Sequence, residues 1–84
     1  MARGDLNNAV RAAISSNWAN FERAHPRLAA VVDEELLVAQ AVERLSDDAD
    51  YQETIADAVA MGNAASAMTD YVGRFIRKWL KSLV

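Results

Sequence analysis

From Tyr51 to Leu83 the chain obeys one spacing rule, and that rule narrows the folds open to it. Tyr51, Ile55, Ala58, Gly62, Ala65, Thr69, Val72, Ile76, Trp79 and Leu83 alternate intervals of four and three through nine consecutive steps. This spacing returns side chains to one stripe of an α-helix and is the pattern of a coiled-coil-like seam. Unbroken, a helix over residues 48–83 would span about 50 Å at the usual rise per residue. Strand formers are scarce and nowhere alternate over a useful length, and Gly (3) and Pro (1) are few. Composition therefore favours helix as well, and the fold class is all-α.

Two further helices precede the seam. The first is expected over residues 6–24, after Asp5 as N-cap, with Leu6, Val10, Ile14, Trp18 and Phe21 spaced by three and four. Asn7, Asn8, Ser15, Ser16, Asn17 and Asn20 give it an uncharged polar face. "AHPR" is the clearest break: the residue before a proline avoids the α region, and Pro26 suits a first helical position. A second helix is expected over 26–45, with Leu28, Val31, Val32, Leu36, Val38, Ala39, Val42 and Leu45 as its apolar set. Asp33, Glu34 and Glu43 face outwards from it, and it ends at the turn-forming "SDDAD".

The seam has one weak point. Gly62 and Asn63 in "MGNAAS" can end a helix through a left-handed residue. The alternative is that Gly62 is small because another backbone approaches it, among the small residues Ala58, Ala60, Ala64 and Ser66. The unbroken periodicity favours a continuous helix. The expected architecture is one domain over 1–84: a helical hairpin plus a long amphipathic C-terminal helix. That is a three-helix bundle, or a four-helix bundle if 62–63 is a turn.

A chain of 84 residues folding alone buries roughly 63% of the surface its unfolded form exposes. It has no cysteine, so neither a disulfide nor a thiolate metal site supplements the core. A spine longer than the hairpin folded along it would leave apolar surface uncovered. Both points favour oligomerisation. Charge is divided along the chain: residues 33–70 carry ten acids against Arg44 alone, while 71–84 carry Arg74, Arg77, Lys78 and Lys81 without a carboxylate. Basic ends around an acidic middle favour antiparallel self-docking or end-to-middle contacts between copies. There is no secretory-signal pattern and no apolar run of transmembrane length, so the expected location is the cytoplasm, with a membrane-peripheral site or export without a signal as alternatives.

No constellation for catalysis or cofactor binding stands out. Asp47, Asp48, Asp50, Glu53 and Asp57 lack the glycine a calcium loop needs, and acids at a helix start also suit its macrodipole. His25 is the only histidine, too few for a zinc or di-iron set, and has no nucleophile motif nearby. Three scattered glycines make no phosphate loop. The expectation is a non-enzymatic protein with no catalytic residue, no metal and no cofactor.

The closing stretch "YVGRFIRKWLKSLV" segregates its faces. Val72, Phe75, Ile76, Trp79, Leu80 and Leu83 share one half of a helix, and Arg74, Arg77, Lys78 and Lys81 the other. Three uses compete. The apolar half packs into the core of the domain or of an oligomer, it docks in a partner's groove, or it lies on a membrane surface with Trp79 and Phe75 inserted. The first is favoured because the heptad runs into this segment without a linker. Nucleic acid is disfavoured, since the aromatics lie on the wrong face to stack beside the cations.

The leading functional expectation is therefore an assembly or adaptor protein. It self-associates along Tyr51, Ile55, Ala58, Gly62, Ala65, Val72, Ile76, Trp79 and Leu83, with Phe75, Leu80 and the four cations as a partner or membrane face. In size, central hairpin and long amphipathic C-terminal helix the chain is similar to type III secretion needle subunits, small proteins that polymerise helically, although Pro26 lies earlier than their hairpin turn. Its basic end is also similar to the capsid-binding helices of phage scaffolding proteins.

Overall fold

A computed structural model describes residues 3–83, with side chains described from Gly4. Local capping divides the described chain into five helices: α1 (Arg3–Ala24), α2 (Pro26–Val31), α3 (Glu34–Ser46), α4 (Ala49–Met61) and α5 (Ala64–Ser82). Helix α1 begins before Asp5, so Asp5 is a first-turn acid facing the positive end of the macrodipole, not the N-cap. It ends at Ala24, and His25 turns the chain at φ −139° and ψ 65° into Pro26, the first residue of α2.

The expected second helix, 26–45, is two helices. Val32 is extended, and Asp33 caps α3 by accepting a hydrogen bond from the Glu35 N–H at 3.0 Å. Glu34 and Glu35 fill the first turn of α3, where the macrodipole favours carboxylates. The break also shifts the buried face. Val31 is 80% and Leu36 56% exposed, while Leu37, Val38, Ala41, Val42 and Leu45 are buried.

The expected spine over 48–83 is divided as well. Gly62 adopts a left-handed φ of 79°. Its N–H donates to the Val59 carbonyl at 3.1 Å, and the Asn63 N–H donates to the Ala58 carbonyl at 3.0 Å. This pair is the Schellman arrangement that satisfies the last carbonyls of a helix. The chain then reverses. Tyr51 and Tyr71, almost equidistant from Gly62 along the chain, meet edge to face at 5.2 Å. At the start of α4, the Asp48 carboxylate accepts from the N–H groups of Asp50 (2.9 Å) and Tyr51 (3.3 Å).

Helix α1 is central: α5, α3 and α2 pack on it, and α4 packs on α5. The core is built from Leu6, Val10, Ile14 and Phe21 of α1, the buried stripe of α3, and Met68, Val72, Ile76, Trp79 and Leu80 of α5. Ile14, Leu45, Ile76, Val10 and Val72 are the largest fully enclosed side chains. The needle-like organisation of one hairpin plus one long helix is therefore replaced by five helices, with α2, α3 and α5 on α1 and α4 on α5.

Candidate functional site at the C-terminal helix

Helix α5 carries the most sharply divided faces in the chain. Its inner arc is Met68, Val72, Ile76, Trp79 and Leu80, all buried. On the opposite arc, within about 100° at the helical turn per residue, Arg74, Arg77, Lys78 and Lys81 are exposed. Among the described residues the one ion pair is Arg11 with Glu35, a two-pronged contact between α1 and α3. That contact raises the Arg11 guanidinium's pKa and lowers the Glu35 carboxyl's, in each case through the shared hydrogen bond first. No described carboxylate lies within 4.0 Å of the four α5 cations. They form a positive stripe with no ion-pair partner among the described residues.

A cleft flanks the stripe on each side. On one side Arg74 and Lys78 border a shallow opening of about 240 Å³ with Tyr71 and Phe75. Phe75 stacks on Trp79 at 6.0 Å. The Tyr71 hydroxyl donates to the Asp50 carboxylate at 2.8 Å, with Asp48 further away at 3.5 Å. The hydrogen bond to Asp50, then burial, then the negative field of Asp48 and Asp50 push the phenol's pKa up to about 12. This tie fixes the middle of α5 to the start of α4.

The other side is the larger cleft, about 330 Å³, where the C-terminal ends of α1 and α5 meet. Phe21, Ala24 and Leu80 supply its apolar surface, and Asn17, Asn20, His25, Arg77 and Lys81 surround it. The His25 ring leans on Phe21 at 5.7 Å. Asn17 is anchored by donating its amide N–H to the Ala13 carbonyl at 2.7 Å. Guanidinium, ammonium and amide N–H groups around an apolar floor are donors suited to anions.

The residues expected to form a self-association seam are dispersed by the turn at Gly62. Tyr51, Ala58, Val72, Ile76 and Trp79 are buried, Ile55 and Leu83 are half-buried, and Gly62 and Ala65 are exposed, as is Thr69. Met68, outside the predicted seam, is the buried residue at the start of α5, one helical turn before Val72 and on the same face. Of the expected partner face, Leu80 is in the core, Phe75 is half-buried and the four cations face solvent.

Asn17, Asn20 and His25 gave no sequence signal of a shared site, because they meet Arg77 and Lys81 only through the alignment of α1 beside α5. In the acidic segment, Asp48 is engaged as a cap and Asp50 as the Tyr71 acceptor. No three potential metal ligands gather among the described residues. No described helix is long and apolar enough to cross a membrane. Comparison with protein-family models, with curated proteins and with solved structures gives no match, which leaves the functional reading to the chemistry of α5 and its two clefts.

Proposed function

We propose that the chain is a non-enzymatic assembly protein that self-associates, the α5 cations of one copy docking on the acid-rich α3–α4 surface of the next. One observation carries this reading: Arg74, Arg77, Lys78 and Lys81 are exposed with no described carboxylate within 4.0 Å, although residues 33–70 hold ten acids. Among the described residues, none of these acids forms an ion pair with the stripe. A second copy supplies that pairing, because opposed patches steer encounter and set register between proteins.

The acidic helices also carry exposed apolar side chains, Leu36 on α3 and Val59 and Met61 on α4, and charge pairing beside covered apolar surface is how interfaces are built. The contact is heterologous, one surface meeting a different one, so copies close into a ring or extend as a filament. The coiled-coil seam is not the docking surface in this reading. Ile76 is 0% exposed, so Ile76→Asp would unfold the chain instead of separating copies.

The test is charge reversal on the stripe. Arg74→Glu combined with Lys78→Glu is expected to abolish association in light scattering while leaving the helical circular dichroism unchanged. Association that persists in this variant would count against the proposal. A chain that stays monomeric yet floats with anionic vesicles would instead assign the stripe to a lipid surface; Trp79 and Leu80 are core residues, so such binding would be electrostatic and would vanish in salt.

A further inference from the structure

The cleft between the ends of α1 and α5 shares Arg77 and Lys81 with the docking stripe, but its amides and its apolar floor have no part in the self-association reading. Its volume, about 330 Å³, falls at the lower end of the roughly 300–1,000 Å³ typical of small-ligand sites. Its apolar surface is provided by Phe21, Ala24 and Leu80. Two side chains at its edge are cationic, Arg77 and Lys81, two are amides, Asn17 and Asn20, and none is a carboxylate.

Among the described residues, the side chains of Asn20, His25, Arg77 and Lys81 make no hydrogen bond and no ion pair. Asn17 spends one N–H on the Ala13 carbonyl, which fixes its side chain on the α1 face lining the cleft. Arg77 and Lys81 lie one helical turn apart, so both heads reach the same opening. Phe21 is only 6% and Leu80 4% exposed, so the floor belongs to the core and is held in place.

We propose that this cleft binds a small organic anion: a carboxylate or phosphate monoester carried on a flat or short apolar body. The anionic group is held by Arg77 and Lys81, with the Asn20 amide as a further donor, and the body lies over Phe21 and Leu80. Guanidinium and ammonium hydrogen bonds to such groups are the stronger, charge-assisted kind. The apolar floor selects a substituted anion over a bare one, because inorganic phosphate gains nothing from it. The site needs no second copy; in an assembly Arg77 and Lys81 are shared with the docking stripe, so the titration is read on the monomer.

The experiment is an NMR titration of the full chain, following the Asn17 and Asn20 side-chain amides and the Phe21 and His25 rings. The probes are phenyl phosphate, benzoate, inorganic phosphate and neutral benzyl alcohol. Saturable shifts centred on these residues are expected with the two aromatic anions, and their relative affinities identify phosphate or carboxylate as the preferred head group. Weaker binding is expected of inorganic phosphate and none of benzyl alcohol.

Arg77→Gln with Lys81→Gln is expected to weaken the preferred anion at least about fivefold, the order of one partly exposed charged hydrogen bond. The charge-matched control, Arg74→Gln with Lys78→Gln, lies outside the cleft and is expected to change affinity less than about twofold, through screened long-range attraction alone. Equal losses from the two pairs would reduce the effect to the general field of α5 and overturn the site. Equal binding of benzyl alcohol, or no saturable shift with either aromatic anion, would overturn it too.

Discussion

Gly62 and Gly73 differ in what a single methyl group does, and that difference tests the turn that organises the fold. Gly62 sits at φ 79°, where an L-residue costs about 1–2 kcal/mol. A Cβ built there meets no heavy atom within 4 Å, so backbone strain is the whole folded-state penalty. Alanine also restricts the unfolded chain, which offsets about 0.4–1 kcal/mol. The net expectation for Gly62→Ala is a loss of about 1 kcal/mol. Gly73 lies inside α5, and its Cβ would likewise meet nothing within 4 Å. There alanine is the better helix former, and Gly73→Ala is expected to stabilise by about 0.5–1 kcal/mol. For a chain of this size each kcal/mol moves Tm by about 4–8 °C, so the two variants separate in opposite directions in a thermal melt. Gly62→Asn is expected to fall between wild type and Gly62→Ala, since Asn tolerates the left-handed region. If Gly62→Ala stabilises as Gly73→Ala does, Gly62 lies in a helix interior and the α4–α5 reversal is wrong.

Two other substitutions test the packing around α5. Ile76→Ala removes a side chain that is 0% exposed and is expected to cost about 2–5 kcal/mol, a large share of the roughly 4–13 kcal/mol available to a chain this long; a loss below 1 kcal/mol in urea unfolding, about the level of a surface change, would deny it a place in the core. Tyr71→Phe deletes the hydroxyl that donates to Asp50 at 2.8 Å and is expected to cost about 1 kcal/mol near neutral pH, discounted for its partly exposed position. Folding raises this phenol's pKa to about 12 from an unfolded value near 10, so its contribution is complete below about pH 10 and is lost as pH rises through the folded value. Wild type should therefore lose its advantage over Tyr71→Phe between about pH 10 and 12, and a gap that stays constant across that range would remove the Tyr71–Asp50 tie from the account.

Helical character, the Pro26 junction and the α1 stripe were legible because each depends on a few neighbouring residues. Leu6, Val10, Ile14 and Phe21 are buried at the spacing their sequence shows, with Trp18 half-buried. The two missed breaks arose where apolar spacing and capping chemistry disagree. Apolar residues run through 28–45 without a gap, yet Asp33 followed by Glu34 and Glu35 is a strong helix start, and the cap prevailed. From Tyr51 to Leu83 the spacing again runs through, but part of it consists of Gly62, Ala65 and Thr69, which bury too little area to hold a helix straight against the Schellman turn. Periodicity indicates which residues share a face only while the helix continues. The cleft between α1 and α5 was beyond any such rule, because Asn17 and Arg77 are brought together by the packing of helices far apart in the chain.

The claim that α5 docks on the acidic surface of a second copy is tested most directly by sedimentation equilibrium of the wild-type chain at low and at high salt. Exposed charges separated by more than a Debye length are largely screened, and that length shrinks from about 30 Å at 0.01 M ionic strength to 3 Å at 1 M. The predicted result is a mass above that of the monomer at low salt, rising with protein concentration and returning to the monomer at high salt. A monomer at every concentration in low salt would contradict the claim, as would an oligomer indifferent to salt.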